Sequence, residues 1–189
     1  MKTRKSSDIA TISIFFAIML LIHFISSFVF NIWPVPIKPT LVHIPVIVAS
    51  IIYGPKIGSI LGGLMGIISL ITNTIVLLPT SYLFSPFVEN GNLYSLMIAI
   101  VPRVLIGITP YFCYKLFKNK AGLITAGILG SLTNTIFVLG GIFVFFASVF
   151  GGNIKALLAG IVSTNAIAEM IISAIVVLAI VPTLTKLKK

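Results

Sequence analysis

Two kinds of residue are scarce in this chain, thiols and acids. A single cysteine, Cys113, stands among 189 residues, which excludes an internal disulfide and any multi-cysteine metal site. The acids number three, Asp8, Glu89 and Glu169, and the histidines two, His23 and His43, in separate predicted helices. That leaves no ligand cluster for a metal and no nucleophile or paired-acid constellation, so neither a cofactor nor catalysis is expected. A G-x-x-x-x-G-K-[ST] loop is missing too, and with it the usual cradle for binding and hydrolysing ATP.

What the chain has in excess is apolar surface. Hydrophobic residues make up 58%, charged residues 8%, and the mean hydropathy is +1.20. Water-soluble domains of this length are not built that way. Since roughly 20 apolar residues cross a bilayer core, the chain supplies about six spans. The expected fold class is an all-α integral membrane protein, a single domain of six transmembrane helices over residues 1–189. The formal charge of +10 would suggest nucleic acid in a soluble protein. Here the basic residues sit between apolar runs rather than along one face, as topology signals do, so the expected surroundings are lipid and not nucleic acid.

The first run covers about 8–30, with Ser7 or Asp8 placed to cap its start. It exceeds the usual ~7–15-residue core of a signal peptide and no A-x-A-like site follows, so it reads as a retained span. NIWPVPIKPT, 31–40, carries three prolines and reads as a loop. A short second run, 41–53, ends at the turn YGPK. The remaining spans are expected at about 57–77, 95–116, 121–147 and 156–181. Placing the N-terminus inside puts Lys2, Arg4, Lys5, Lys56, Lys115, Lys118, Lys120, Lys186, Lys188 and Lys189 there, against Lys38 and Lys155 outside. Both termini are then cytoplasmic, 1–7 is a short cytoplasmic tail, and 31–40 and 78–94 are extracellular loops. Arg103 belongs to neither side, because it falls inside the fourth span.

One motif recurs inside the apolar runs: SLITNTIVL at 69–77, SLTNTIFVL at 131–139, and a looser VSTNAIAEM at 162–170. With a rise of about 1.5 Å per residue, Asn73 lies near the outer end of the third span and Arg103 roughly 12 Å below that of the fourth. Asn165 is about nine residues into the sixth span, and Asn134 and Glu169 reach roughly the midplane. All five can face one cavity open to the outside. Asn165 and Glu169, four apart, share a helix face. Charges at such depth cost several kcal/mol and face a partner, water or the protein interior, which makes Arg103 and Glu169 the strongest candidates. A mutual structural ion pair is the alternative. For the asparagines the alternative is interhelical glue at about 0.6–2 kcal/mol each, and Asn73 fits that as readily as a site. Each amide offers two donors and an acceptor, suiting an amide, hydroxyl or carboxylate on a small ligand.

Small residues precede each Thr-Asn pair, in GSILGGLMG, GILG and AGIV, and predict close helix packing ahead of a polar site. In the first span Ala10, Ser13 and Ala17 mark a small-residue face, suited either to an intramolecular contact or to docking another membrane subunit. Trp33, Tyr82 and Tyr94 are expected near the outer surface, as an aromatic belt or as a lid over the pocket.

The strings TLVHIPVIVASIIYGPKIGSILGGLMGIISLITNT, PTSYLFSPF, VPRVLIGITPYFCYKL and GSLTNTIFVLGGI resemble the substrate-binding S components of energy-coupling factor (ECF) vitamin transporters. The resemblance runs from about residue 8 to 181 and is greatest to the pantothenate-type branch. It implies a six-helix protein of a prokaryotic plasma membrane that captures a vitamin from outside. Such a protein docks on a transmembrane coupling protein carrying two ATP-binding-cassette ATPases. The implied pocket comprises Arg103, Asn134, Asn165 and Glu169, with Trp33 and Tyr82 in the covering loops. The family's A-x-x-x-A docking pattern is matched only by Ser13 with Ala17.

Pantothenate carries one carboxylate, one amide and two hydroxyls, and Arg103 would neutralise the carboxylate through a bidentate contact. Were Arg103 paired with Glu169 instead, a neutral heterocycle such as hydroxymethylpyrimidine or a pyridoxine-like vitamin would fit better. The competing class is a self-sufficient proton-coupled carrier in which Glu169 relays protons.

Overall fold

The computed structural model describes residues 2–32 and 40–187. Among these residues every regular element is helical. The order is α1 (Lys2–Ile32), α2 (His43–Tyr53), α3 (Pro55–Ile75), a 3-10 turn at Ser81–Leu83, α4 (Leu93–Ile106), α5 (Thr109–Leu116), α6 (Lys120–Phe145), α7 (Ala147–Phe150), α8 (Ile154–Ile161) and α9 (Thr164–Leu187).

Five segments are long and apolar enough to cross a bilayer: Ser7–Val29, Pro55–Ile75, Leu93–Leu116, Lys120–Phe145 and Ile154–Leu187. The second expected run, 41–53, is α2, a helix of 11 residues, about 16 Å long and so shorter than the hydrocarbon core. Its position explains its composition. It touches α1, α3, α4, α5, α6 and α9, and every residue from His43 to Ile51 is buried. A helix enclosed on all sides has no polar face to show, which is why the run HIPVIVASI lacks a solvent stripe. Gly54 ends it in the positive-φ region (94°), donating its N–H to Ser50 O, and Pro55 opens α3 with its fixed φ and no donor to lose.

Three expectations about boundaries change. Ser7 and Asp8 do not cap α1, because the helix already runs from Lys2; Ser7 is inside it, and its carbonyl accepts from the Thr11 hydroxyl at 2.9 Å. The expected tail 1–7 is thus helical over its described residues. The fourth span is two helices, broken at Gly107–Ile108 ahead of Pro110. The sixth is also two, broken at Val162–Ser163, where the Ser163 hydroxyl accepts from Ala166 N–H at 3.3 Å and competes with continued helix.

Close packing follows the glycines. Gly58, Gly62 and Gly66 recur every four residues along one side of α3. A Cβ at the first two would collide with the carbonyl oxygens of Gly107 and Arg103; at Gly66 it would lie 2.8 Å from that of Ala99. The two antiparallel helices therefore meet backbone to backbone, the small-residue mode by which helices associate where burial of apolar surface supplies no drive. Gly127 does the same for α6 against α9, a Cβ there lying 2.8 Å from the Ala174 Cα. Helix α1 is peripheral: Phe15 and Met19 face the bundle, while Ile14, Leu21, Phe24 and Ile25 are exposed.

Candidate functional site

Beside the break between α8 and α9 lies a hollow against α6. A cavity of about 340 Å³ is lined by Asn134, Thr135, Val138 and Leu139 of α6, Gly160 of α8, Ser163 at the break, and Asn165, Ala166 and Glu169 of α9. Three of the expected site residues, Asn134, Asn165 and Glu169, are thus brought together. The Oδ1 atom of Asn134 is buried and has no hydrogen-bond partner. Larger hollows between α1, α2 and α9 (about 460 Å³) and between α6 and α9 (about 420 Å³) are lined almost wholly by aliphatic and aromatic side chains. The hollow at the helix break instead combines a carboxylate with two amides.

Arg103, on α4 and 8% exposed, is not among the residues lining this cavity, though it lies within electrostatic reach of Glu169. Its Nη1 donates to the carbonyl of Ile98 at 2.7 Å, its guanidinium carbon sits 5.3 Å from the centroid of the Phe84 ring, and its Nε is buried with no hydrogen-bond partner. The Ile98 carbonyl is accessible to it for a local reason. In an α-helix that oxygen receives the N–H four residues on, and position 102 is proline.

Glu169 is 7% exposed, and its Oε1 accepts the backbone N–H of Thr40 at 2.6 Å. One turn further along α9, the Ser173 hydroxyl meets Nε2 of the fully buried His43 at 2.9 Å. Two successive turns of α9 are therefore bonded to Thr40 and His43, three residues apart at the entry of α2. Among the described residues no salt bridge joins Arg103 to Glu169: each is held by a backbone group, although each lies within the other's electrostatic reach.

The three Thr-Asn copies separate by role. In the first, Thr72 pairs with His23 of α1 at 3.2 Å, the Asn73 amide donates to Ser69 O of its own helix at 2.8 Å, and Thr74 pairs with Ser85 at 2.7 Å. That copy ties α3 to α1 and to the segment before α4, and Asn73 does not line the cavity. The second and third supply Asn134, Thr135 and Asn165 to it. Tyr82 packs edge-on against Phe146, ring centroids 5.6 Å apart, and its carbonyl accepts from the Ser95 hydroxyl at 2.5 Å. Tyr94 stacks on Phe145. Trp33 lies outside the described residues, as does most of the expected loop 31–40.

Thr40, His43, Ser173, Pro102 and Phe84 were not singled out in the sequence. The spacing Asn165, Glu169, Ser173 was readable as one face of a helix. Nothing local marked His43 as the partner of that face.

A hollow that joins two amides and a carboxylate between apolar helices is a candidate site for a small polar ligand. A family model described as "ECF transporter, substrate-specific component" matches residues 7–181. The chain belongs to this family. It is an S component, a substrate-specific subunit of a transporter and a multi-pass membrane protein. The S component is 48% identical over 191 residues to "Pantothenic acid transporter PanT" of Lactococcus lactis subsp. cremoris (strain MG1363), covering 98% of this chain and 97% of that relative.

Proposed function

We propose that this S component captures pantothenate from outside the cell for ATP-driven uptake, with Arg103 receiving the carboxylate. The observation that carries this reading is the separation of Arg103 from Glu169. An Arg103 already neutralised by Glu169 would favour an uncharged heterocycle. Instead both charges are held by backbone groups, leaving the buried Arg103 Nε and Asn134 Oδ1 without partners. A buried donor on a cation and a buried amide oxygen suit a molecule that presents a carboxylate and, some atoms away, an amide or hydroxyl hydrogen. The likeness to the pantothenic acid transporter supports the same ligand. Asn165 and Glu169 would border the bound vitamin, and Trp33 and Tyr82 would belong to the covering segments.

In this reading residues 1–189 form one domain that passes the membrane six times, α2 being the short central passage, with both termini cytoplasmic by the distribution of lysine and arginine. The subunit hydrolyses nothing; a transmembrane coupling protein and two ATP-binding-cassette ATPases supply the energy. Ala10, Ser13 and Ala17 are exposed on α1, away from the bundle-facing Phe15 and Met19, and are offered as the small-residue face for the coupling protein.

Calorimetric titration of the purified chain tests the ligand: pantothenate binds, and hydroxymethylpyrimidine and pyridoxine do not. In liposomes without ATPases the protein binds pantothenate but does not accumulate it. Accumulation driven by a proton gradient in that setting would instead make it a self-sufficient carrier.

A further inference from the structure

We propose that Pro102 is a positioning residue for Arg103, one that works by deleting a hydrogen-bond donor. Every interior residue of an α-helix donates its N–H to the carbonyl four positions back, so residue 102 would serve Ile98. Proline has no N–H, and within hydrocarbon depth a backbone carbonyl must still be satisfied by the protein. The side chain of the next residue does so: Arg103 Nη1 reaches Ile98 O at 2.7 Å. The direction is the natural one, since long side chains on a helix lean toward its N-terminus.

The consequence is a guanidinium fixed from two directions. Ile98 O holds Nη1, and the Phe84 ring covers the group at 5.3 Å, while Nε stays buried without a partner. The backbone beneath it is pinned as well, because Gly62 lets α3 press against the Arg103 carbonyl. An arginine held this way needs little reordering when an anion arrives, which is where preorganised sites gain affinity. Glu169, the nearby carboxylate, is already committed to Thr40, so the arrangement keeps Arg103 from drifting onto an internal partner.

Restoring the N–H should undo this. With alanine at 102, the backbone donor competes for Ile98 O and the guanidinium loses its anchor, while the helix itself loses a breaker. Stability and anion affinity are therefore expected to move in opposite directions, which a purely structural proline would not produce.

This inference rests on the reading that Arg103 receives the vitamin carboxylate, and the experiment separates the two. The full-length chain in lipid nanodiscs is titrated with pantothenate and with its alcohol analogue, in which CH2OH replaces the carboxylate. For Pro102→Ala the thermal midpoint should equal or exceed that of the wild type. Its pantothenate Kd should rise about tenfold or more, the loss expected when a charge-assisted contact is no longer oriented, while the Kd for the alcohol stays within about threefold. In an Arg103→Gln background the same change should shift pantothenate binding by less than about threefold. Equal losses for both ligands, or a loss that persists without Arg103, would show that Pro102 acts through helix shape and would overturn the inference. So would unchanged pantothenate affinity in Pro102→Ala when Arg103→Gln alone weakens it. If Arg103→Gln binds pantothenate as the wild type does, the carboxylate reading fails, and this inference falls with it. Pro102→Ser restores the same N–H and serves if the alanine variant does not fold.

Discussion

The backbone N–H of Thr40 donates to Glu169 Oε1 at 2.6 Å, linking positions 129 apart in sequence. This contact explains how a carboxylate is accommodated deep in an apolar bundle: a main-chain donor solvates it, beside the His43–Ser173 bond one turn along. The role makes a demand on chemistry. The position needs an acceptor oxygen more than it needs a charge.

Glu169→Gln, which keeps an acceptor oxygen at the same reach, should therefore retain stability within about 0.5 kcal/mol, whereas Glu169→Ala should lose about 2 kcal/mol by leaving Thr40 N–H unsatisfied. Thermal unfolding in detergent measures both. Equal damage from the two substitutions would assign the work to the charge, as a proton relay or direct ligand contact requires.

Arg103→Lys keeps a positive charge but presents a point donor in place of a planar fork, and a lysine cannot hold Ile98 O and a carboxylate with the same geometry. Pantothenate affinity should fall by about tenfold for lysine and by about a hundredfold or more for alanine, read by calorimetry. A lysine variant indistinguishable from the wild type would mean that no bidentate contact is made.

Asn134 and Asn73 occupy the same place in the same motif and should respond differently. Asn134→Leu removes from the cavity an amide whose Oδ1 is buried without a partner, so binding should weaken about tenfold or more with folding retained. Asn73→Ala loses only a bond to its own helix and should leave affinity within about threefold. Reversed outcomes would move the ligand site to the outer end of α3.

Gly62→Ala places a methyl against the Arg103 carbonyl, and the obstruction is backbone, which cannot rotate away. Overpacking of this kind costs about 1–3 kcal/mol, and because the displaced residue is Arg103, pantothenate affinity should drop with it. Gly63→Ala, one residue on, would lie 3.9 Å from the nearest side-chain atom and should be silent in both measurements. Matching behaviour of the two variants would remove the glycine stripe from any role in placing Arg103.

Much of this was readable along the chain. Apolar content and run length declared a membrane protein, the Gly-Pro segment placed the turn between α2 and α3, and the small residues before the first Thr-Asn pair marked α3 for close helix packing. The location of Arg103, Asn134 and Glu169 inside apolar helices was legible too, because helical run length is a local property of the chain. Breaks inside the fourth and sixth spans were harder: hydropathy is continuous through Gly107 and Ser163, and only a competing local hydrogen bond or a following proline interrupts the helix there.

Sequence by itself determined what kind of protein this is and which polar groups fall inside apolar helices, since both depend on composition and local geometry. The tertiary structure alone decided which of three similar asparagines face the cavity. It also decided that Arg103 and Glu169 bond backbone groups rather than each other, and that His43 anchors α2 to α9. Those outcomes depend on how each helix is rotated against its neighbours, a relation between segments up to 130 residues apart that no local pattern encodes.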